Sequence, residues 1–450
     1  LNLPPNRFIM KIFERLVYCV AVVTLVVTAG CSSGKPGDIN GLLETVPADA
    51  SAVMVMNMHA MLEKAGCKVN GSEVVPGKEL ASVLETTNNQ ELRKIIAGLR
   101  DGGIDPSAAV LFIEGYNVYL TGFVSDSSKF KEYVEKNSDS KFVKDGETEV
   151  CGNTVLTPDR FWICMSSRNT VNTEDIRRFV SLSPKQSILS NEVASRLVDI
   201  SHDVEGWGDI RGCLNSLGID FTTRATATMA IEAMFVDAVE FSWNLDFQKG
   251  KIVAEMDVIN SKGGIAKFNF PAARIDGGTI TETGGTADAF VALAVNPDMV
   301  KKLKEETGGK GMSMIGILAG MIQSVDGTCV AAVSESGNVR GVISTTGHGT
   351  ADLSNMLGQF GFEVVKEGRL LRVGKGAVEG AVSAADAAEE LKGSLAGFVL
   401  GGGEKRRLTD AVSSVSVTFK PEKGGLKAIV KVNGKDSKKN IMQSILESHD

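Results

Sequence analysis

Residues 48–57 decide the fold, and they read Ala48-Asp49-Ala50-Ser51-Ala52-Val53-Met54-Val55-Met56-Asn57. A version of this stretch returns at residues 287–296, which read Ala287-Asp288-Ala289-Phe290-Val291-Ala292-Leu293-Ala294-Val295-Asn296. Both copies have Ala-Asp-Ala, an apolar run and a closing Asn. The apolar run predicts a buried β-strand, and the Asn predicts the N-cap of a helix that follows it. The sequence therefore predicts one fold written twice along the chain.

Turn signals repeat in the same order behind this stretch. Lys144-Asp145-Gly146 returns as Lys366-Glu367-Gly368, and Gln248-Lys249-Gly250 returns as Glu422-Lys423-Gly424. A polar pair followed by Gly between apolar strands indicates a hairpin turn. Chance similarity between short apolar strands is the alternative interpretation, but several matches in one order favour a duplication. The second copy is shorter, which places extra material in the first copy at about residues 172–230.

Strand and helix patterns alternate, which predicts an α+β fold. In the first copy the elements through Val143 follow the order β-α-β-β-α-β, which is the order of a ferredoxin-like, split βαβ layer. We expect two tandem related halves with antiparallel sheets backed by helices, and such a ferredoxin-like core in each half. The predicted boundaries are 44–265 for the first α+β repeat with a helical insertion at about 172–230, 266–282 for a linker, and 283–450 for the second α+β repeat.

Composition limits the classes of partner. The chain has 450 residues, of which 43% are hydrophobic, so there is enough apolar material for a large core. The formal net charge is −7, whereas nucleic-acid binding requires a basic surface. The cluster Lys405-Arg406-Arg407 follows three glycines and is interpreted as a solvated loop. The sequence therefore predicts no nucleic-acid partner.

Residues 1–30 have the pattern of a secretory signal peptide. From Met10 onward, Lys11 and Arg15 precede the apolar run Leu16–Val27, and the small residues Thr28-Ala29-Gly30 precede Cys31. The apolar run is shorter than the roughly 20 residues that a membrane span requires. The pattern becomes clear at Met10, which we expect to be the true initiator. An ordinary signal peptide followed by a chance Cys is the alternative.

The end of this segment, Ala29-Gly30-Cys31, resembles the lipobox of bacterial lipoproteins, although position 28 is Thr where Leu is usual. The resemblance implies cleavage before Cys31 and lipidation of Cys31. Residues 31–43 then form a flexible tether. Ser32 is similar to the residue after the lipidated cysteine of outer-membrane lipoproteins. We therefore expect an outer-membrane lipoprotein that faces the periplasm or the cell surface, with the membrane as a partner through its lipid anchor.

The chain has 7 cysteines, and five remain once Cys19 leaves with the signal peptide and Cys31 is lipidated. The cell envelope is an oxidising compartment, in which disulfides persist. Cys151 and Cys164 flank the turn signal Thr157-Pro158-Asp159, which predicts that they lie nearly opposite each other on facing strands of one hairpin. Two interpretations of this pair stay open: the cysteines form a disulfide, or they are two small buried hydrophobic residues.

No catalytic constellation emerges from the sequence. The four histidines, His59, His202, His348 and His449, have no paired ligands nearby, and without a CxxC pair a zinc site is not expected. Gly30-Cys31-Ser32-Ser33-Gly34 fits the G-x-S-x-G motif, but it is the lipobox and tether. We predict no catalytic residue, no cofactor and no metal ligand. Sequence does not show which distant acids meet, so a hydrolase with two carboxylates stays open.

Three features together resemble a known family. They are Val46-Pro47-Ala48-Asp49-Ala50, the Asn-capped helix that follows, and Ser187-Ile188-Leu189-Ser190-Asn191. The likeness covers nearly the whole mature chain and is to the large lipoproteins of Bacteroidota collected as domain of unknown function 4836. That resemblance implies an envelope lipoprotein and supplies no catalytic residue. One departure is Gly206-Trp207-Gly208-Asp209, where an aromatic-rich stretch is expected.

The leading function prediction is a lipid-anchored bacterial cell-envelope protein with a non-catalytic binding or structural role. Its partner, an envelope protein or a glycan, is left open by the sequence. One alternative is an envelope hydrolase acting on glycan or peptide, which requires a cleft with converging carboxylates or an activated Ser. The other alternative is a carrier of an apolar ligand, which requires an apolar cavity between sheet and helices.

Overall fold

The computed structural model describes residues 38–70, 73–78, 80–82, 98, 101–138, 140–166, 173–216, 220–306, 323–347, 350–402 and 411–447. The described chain confirms the α+β class, because helices accompany strands that pair antiparallel. Residue contacts divide the chain into two units. The first unit contains residues 1–219, 244–247 and 442–450, and the second contains residues 220–243 and 248–441.

The first unit is built on an eight-stranded antiparallel sheet. Its described elements are α1 (Ile39–Leu43), β1 (Ala52–Met56), α2 (Met58–Lys64), β2 (Cys67–Asn70), β3 (Glu73–Pro76), β4 (Ile104–Glu114), β5 (Asn117–Val124), α3 (Ser127–Asn137), β6 (Val143–Asp145), β7 (Thr148–Cys151), β8 (Thr154–Leu156), β9 (Arg160–Ser166), α4 (Thr173–Val180), two 3-10 turns (Ile188–Ser190 and Ala194–Asp199), β10 (Val204–Asp209) and α5 (Ile210–Ser216). The strand order is β10-β1-β4-β5-β9-β8-β7-β6. Strand β1 therefore lies between β10 and β4.

The stretch at residues 48–57 forms the predicted strand and helix cap. Val53 and Val55 are buried in β1, as expected for an apolar run inside a sheet. The Asn57 side chain accepts a hydrogen bond from the backbone N–H of Ala60 at 3.1 Å and caps α2. Gly66 follows the helix with a φ of +89°, a conformation that favours glycine. This part of the sequence prediction is confirmed.

The strand pairing of the first unit differs from a split βαβ core. In that core the first two strands run parallel with another strand between them. Here β1 pairs directly and antiparallel with β4, and Ala52 lies opposite Ile113. The predicted elements β1, α2, β4, β5, α3 and β6 occur in the predicted order, but pairing depends on which strands meet in space. The antiparallel hairpin β2–β3 also lies in the connection between β1 and β4, where the sequence predicted only helices.

One strand of the predicted helical insertion belongs to the main sheet. Residues 172–230 include α4, the 3-10 turns, α5 and part of a later helix, as expected. They also include β10, in which Trp207 lies opposite Val53 of β1. Sequence analysis missed this strand because Gly206 and Gly208 interrupt the β-branched pattern that usually marks strands.

The second unit includes nine described strands that pair antiparallel side by side. Its elements are α6 (Phe221–Met234), β11 (Phe235–Val236), β12 (Ala238–Gln248, with residues 244–247 counted in the first unit), β13 (Lys251–Asn260), β14 (Lys267–Phe268), α7 (Gly277–Thr281), β15 (Thr286–Ala287), β16 (Ala289–Val295), α8 (Pro297–Glu306), β17 (Val325–Val333), β18 (Val339–Thr345), α9 (Thr350–Gln359), β19 (Glu363–Glu367), β20 (Leu370–Lys375), β21 (Val382–Ser383), α10 (Ala384–Leu391), β22 (Ala396–Gly401), β23 (Val412–Glu422) and β24 (Gly425–Gly434). The order of the nine is β13-β24-β23-β22-β16-β17-β18-β20-β19, and β12 belongs to the same sheet. A last helix, α11 (Ile441–Glu447), belongs to the first unit from Met442 onward.

Helices α7 and α10 cover one face of this sheet. Ile280 of α7 and Leu391 of α10 join a buried cluster with Phe290, Ala292 and Val399. Residues 266–282, predicted as a linker, thus contain the short strand β14 and the helix α7, which contributes to the core. None of the described helices combines the length and the apolar character that a membrane crossing requires.

Candidate functional site

Several residues of the sequence predictions lie outside the described part of the chain. These are the signal peptide and Cys31, the basic cluster at 405–407, and two of the histidines, His348 and His449. The other two histidines are described. His59 lies 3.6 Å from the Glu63 carboxylate one helical turn away, and His202 is part of a polar cluster in the first unit.

Cys151 and Cys164 do not face each other as predicted. Cys151 ends β7 opposite Thr154, whereas Cys164 lies on β9 opposite Tyr119. The short strand β8 lies between β7 and β9, because the chain turns at Gly152-Asn153 as well as at the predicted turn after Leu156. Both cysteines are free and buried, which agrees with the interpretation as small hydrophobic residues.

We expect the described thiols to resist modification in the folded protein. Burial raises the pKa of Cys67 to about 11 and the pKa of Cys213 and Cys329 to about 12, so the reactive thiolate is scarce at neutral pH. An alkylating reagent at pH 7.5 should leave these three residues unlabelled until the chain is denatured, as read by mass spectrometry of peptides. In denaturant without reductant, Cys151 and Cys164 should both become alkylated. If both stayed protected, a disulfide would join them.

The first unit contains an ion pair between Lys64, whose side chain is 35% exposed, and the buried carboxylate of Asp203. Lys64, the last residue of α2, places its Nζ 2.7 Å from both carboxylate oxygens of Asp203. The Asp203 side chain is 2% exposed and also accepts a hydrogen bond from the backbone N–H of Phe247 at 2.6 Å. Burial raises the pKa of Asp203, and the hydrogen bonds from Lys64 and Phe247 oppose that rise. The pair clamps α2 to the residue that precedes β10.

A second acidic residue and a histidine lie beside this pair. The Nδ1 of His202 is 2.7 Å from the Asp246 carboxylate, and the backbone N–H of Asp203 donates to the same carboxylate at 3.3 Å. A His–carboxylate pair orients a general base when a nucleophile is adjacent. Among the described residues, no hydroxyl or thiol is hydrogen-bonded to the His202 ring, and no group of His, Cys, Asp and Glu has metal-site geometry. The cluster is therefore interpreted as structural.

The second unit has an apolar sheet face that is partly open to solvent. Direct pairing aligns one row of residues across five strands, namely Ala254, Val430, Val417, Phe398 and Val291. With the two flanking rows this surface, which we call the open face, consists of Ile252, Ala254, Met256, Ala289, Val291, Ala396, Phe398, Leu400, Val417, Phe419, Ala428, Val430 and Val432. At a strand spacing of about 4.8 Å, the row is about 19 Å long.

Exposure varies along this side of the sheet. Val415, which lies opposite Val432 and Leu400 in one flanking row, is 3% exposed and is not counted in the open face, whose members are all at least partly exposed. Val291 is 49% exposed, and Met256 and Phe419 are each 37% exposed. The other members are partly exposed. An antiparallel sheet commonly packs one face on the core and presents polar residues on the other. Here the solvent-accessible face is apolar throughout, which is characteristic of a surface that meets another molecule or a membrane.

The opposite face of the same strands carries the charged and hydroxyl side chains. Lys431 of β24 lies 3.0 Å from Glu390 of α10, which also accepts from Ser416 at 3.2 Å. Lys427 lies 2.9 Å from Glu255 and 3.4 Å from Asp257. Helix α10 and these ion pairs occupy that side of the sheet. The same side also carries the buried core residues Phe290, Ala292 and Val399, so both faces of these strands bear apolar side chains and only the covered face bears polar ones as well.

Sequence analysis did not find the open face, although a signal was present. Val415, Val417 and Phe419 alternate in β23, so the pattern showed that they share a face. The usual rule assigns such a face to the core. The residues that alternate with them, Ser416 and Thr418, are hydroxyl residues, and both are buried. The rule therefore assigns the wrong face of β23 to the core.

Comparison with known proteins gives limited information. No family model and no curated protein matches the chain. The structure titled crystal form III of TP0453 is similar at a TM-score of 0.28 with 11% identity, over 77% of this chain and 96% of that chain. Crystal form I gives 0.29 with 10% identity, over 77% and 94%, and crystal form IV gives 0.29 with 11% identity, over 48% and 79%. Likeness at this level carries no functional argument, and the predicted relation to the Bacteroidota lipoprotein family stays a prediction.

Proposed function

We propose that this chain is a lipid-anchored protein of the bacterial cell envelope with a non-catalytic binding role, and that it binds through the open face. The observation that carries the proposal is the row Ala254, Val430, Val417, Phe398 and Val291, which presents apolar side chains to solvent across five strands. Leaving such a surface in water costs roughly 25 cal/mol for each Å² of apolar area, so a partner that covers it is bound favourably.

The hydrolase alternative has no comparable support. Asp203, the most deeply buried carboxylate of the polar cluster, has both oxygens engaged by Lys64 and by the Phe247 N–H. A general base needs a free lone pair within reach of the proton it removes. Asp203 retains some lone-pair capacity, but its side chain is only 2% exposed, so the proton of a substrate has no access to it.

Binding of a neutral apolar probe tests the role of the open face. N-phenyl-1-naphthylamine should bind the protein saturably and fluoresce. Val291→Lys combined with Phe419→Lys should weaken that binding about tenfold or more. Each change puts a charge in place of an apolar side chain whose burial under the probe would stabilise the complex by up to about 1.5–3 kcal/mol. The matched control is Val365→Lys, since Val365 is 56% exposed on β19 and lies outside the open face. Equal binding by all three proteins would reject the open face as the binding surface.

The anchor is tested separately. Bacteria that express the protein and grow with an alkyne-tagged fatty acid should incorporate the label into it. The Cys31→Ala variant should not be labelled, because the lipobox resemblance assigns the acyl chains to Cys31. Label that persists in the Cys31→Ala variant would reject the proposed anchor without affecting the open face.

We also propose that the chain consists of two related halves. In support, β1 lies between β4 and β10 as β16 lies between β17 and β22. The Asn296 side chain accepts from the backbone N–H of Met299 at 2.7 Å, as Asn57 does for α2. Pro47 bridges to Ser187 in one half, and Thr286 pairs with Ser383 in the other.

The hydrogen bonds shift the sequence alignment of the halves by two residues. Asp209 donates its N–H to the Ser51 carbonyl, and Gly401 donates to the Asp288 carbonyl, both at 2.9 Å. Ser51 therefore corresponds to Asp288, and the longer β16 brings Asn296 to the same capping role. An experimental structure in which residues 44–265 and 283–450 failed to superpose β1 on β16 and β10 on β22 would reject the duplication.

A further inference from the structure

A group of lysines lies at one end of the strands that form the open face. Lys249 and Lys251 flank the turn between β12 and β13, and Lys435, Lys438 and Lys439 follow β24. Backbone pairing joins the two segments, because Gly250 donates its N–H to the Lys439 carbonyl at 2.8 Å and Lys249 bridges to Asn440. We call these five residues the lysine cluster.

The lysine cluster is locally basic in an acidic protein. The segments 249–252 and 433–440 contain five lysines and one acidic residue, Asp436, whereas the whole chain has a net charge of −7. Lys249, Lys435 and Lys438 are exposed. Among the described residues, none forms an ion pair with the side chain of Lys249, Lys251, Lys435 or Lys438.

The cluster adjoins the open face directly. Ile252, an open-face residue, follows Lys251 in β13 and lies opposite Val432 of β24. Lys251 itself lies opposite Asn433. The side chain of Lys251 points to the other face of β13, because successive strand residues alternate. The exposed Lys249, Lys435 and Lys438, in the segments that follow the strand ends, therefore place positive charge at this end of the apolar rows.

We propose that the open face and the lysine cluster together dock on the surface of an anionic lipid bilayer, beyond the attachment given by acyl chains. This inference rests on the proposed binding role of the open face and names its partner. Apolar side chains would enter the boundary between headgroups and acyl chains, and the lysines would lie against anionic headgroups. Membrane attachment that combines an acyl anchor with a basic surface is more stable than either alone.

Two features favour a bilayer over another occupant. The open face is broad and exposed at both ends, at Val291 and at Met256, rather than enclosed like a pocket for a single ligand. A second copy of this chain would have to neutralise the lysine cluster, and the open face contains no acidic residue with which to do so. Anionic headgroups satisfy the charge and the apolar area together.

A fluorescent probe at a defined position reads docking in the full chain. Met256→Cys, labelled with NBD (7-nitrobenz-2-oxa-1,3-diazole), places the probe on the open face. Glu389→Cys is the matched control, since Glu389 is exposed on α10 on the opposite side of the sheet. The native thiols, of which Cys213 and Cys329 are only partly buried, and the unchanged residues 1–37 give the same background in both proteins. Vesicles of phosphatidylcholine with 30% phosphatidylglycerol should brighten and blue-shift the probe at position 256 only, and doxyl-labelled lipid should quench it.

Charge removal tests the lysine cluster. Lys435→Gln with Lys438→Gln should lower the ratio of docked to undocked open face about 30-fold on the same vesicles, since each lysine near an anionic surface contributes about 1 kcal/mol. Lys262→Gln with Lys392→Gln removes the same charge from exposed positions elsewhere and should change little. Vesicles of phosphatidylcholine alone attract none of the five lysines, so they should dock the open face more weakly than anionic vesicles dock the Lys435/Lys438 variant.

The outcomes separate this inference from the function on which it rests. If the probe at position 256 ignores vesicles while N-phenyl-1-naphthylamine still binds, the bilayer is the wrong partner and the open face remains a binding surface. If the probe brightens without lipid as protein concentration rises, the partner is a second copy and the proposal is overturned. Equal docking on neutral and anionic vesicles would also overturn it. Loss of both signals removes the proposed function as well.

Discussion

Replacement of Lys64 by Met is expected to lower the free energy of unfolding of the first unit by about 3–5 kcal/mol. The change leaves the Asp203 carboxylate, which is 2% exposed, without the ammonium group that lies 2.7 Å from both of its oxygens. An unpaired buried charge is far more costly than a lost surface ion pair. Urea unfolding followed by the fluorescence of Trp162 and Trp207, both in the first unit, measures the loss.

The double variant Lys64→Met with Asp203→Leu should recover much of this loss, because replacing a buried pair by apolar residues of similar size is often neutral. If the two halves are related as proposed, the second half supplies a precedent. The Asn57 N–H donates to the Asp203 carbonyl at 2.8 Å, and the Ala294 N–H donates to the Leu395 carbonyl at 2.7 Å, so a buried Leu occupies the position that corresponds to Asp203. A double variant as unstable as Lys64→Met would show that the charged pair is needed for more than filling its site.

The stability lost in Lys64→Met should depend on pH with a defined sign. Burial raises the pKa of Asp203 above its ordinary value of 3.8, and Lys64 opposes the rise. A carboxyl with a raised pKa in the folded state stabilises the fold below its unfolded pKa, and this contribution is lost as pH rises through the folded pKa. Without Lys64 the folded pKa of Asp203 rises further. The deficit of the variant should therefore shrink as pH falls from 7 toward 4, and a constant deficit would contradict the assignment.

Neighbouring residues of β16 should differ strongly in their effect on stability. Phe290 is 0% exposed in the cluster under α7 and α10, so Phe290→Ala is expected to cost about 3–5 kcal/mol. Val291, the next residue, is 49% exposed on the open face, so Val291→Thr should change stability by about 0.5 kcal/mol or less. Urea unfolding of the second unit, followed through Trp243, provides the measurement.

This contrast also tests the open face itself. If Val291 were a core residue, its replacement by Thr would bury an extra hydroxyl and cost well over 1 kcal/mol. Val399→Thr is a matched control, because Val399 is 1% exposed on the covered side of β22. Equal losses in Val291→Thr and Val399→Thr would mean that the open face is covered in solution.

Local elements were predictable because their signals lie close together in sequence. The strand Ala52–Met56 and the helix capped by Asn57 need only an apolar run, a capping side chain and the glycine at position 66. The hairpin at Lys423-Gly424 follows from the same kind of signal, and both residues adopt positive φ there. The residues that specify each of these elements therefore lie within about ten positions of one another.

Pairing and burial were harder to predict because they depend on distant residues. The interpretation of Cys151 and Cys164 as facing residues failed when the short strand β8 came between them. The polar cluster joins Lys64, Asp203 and Asp246, which no spacing in the sequence connects. A strand with glycines, such as β10, became recognisable only beside its neighbour β1.

The sequence by itself determined several of the strands and helices, the caps and turns that bound them, and which residues of each such strand share a face, since these depend on periodicity and backbone preference. Only the tertiary structure decided which strands are neighbours and which of the two faces of a strand is covered. The physical reason is that alternation fixes direction relative to the strand, whereas burial depends on what packs against it. Helix α10 covers Val399 and leaves Phe398 on the open face, and nothing within β22 itself distinguishes the two.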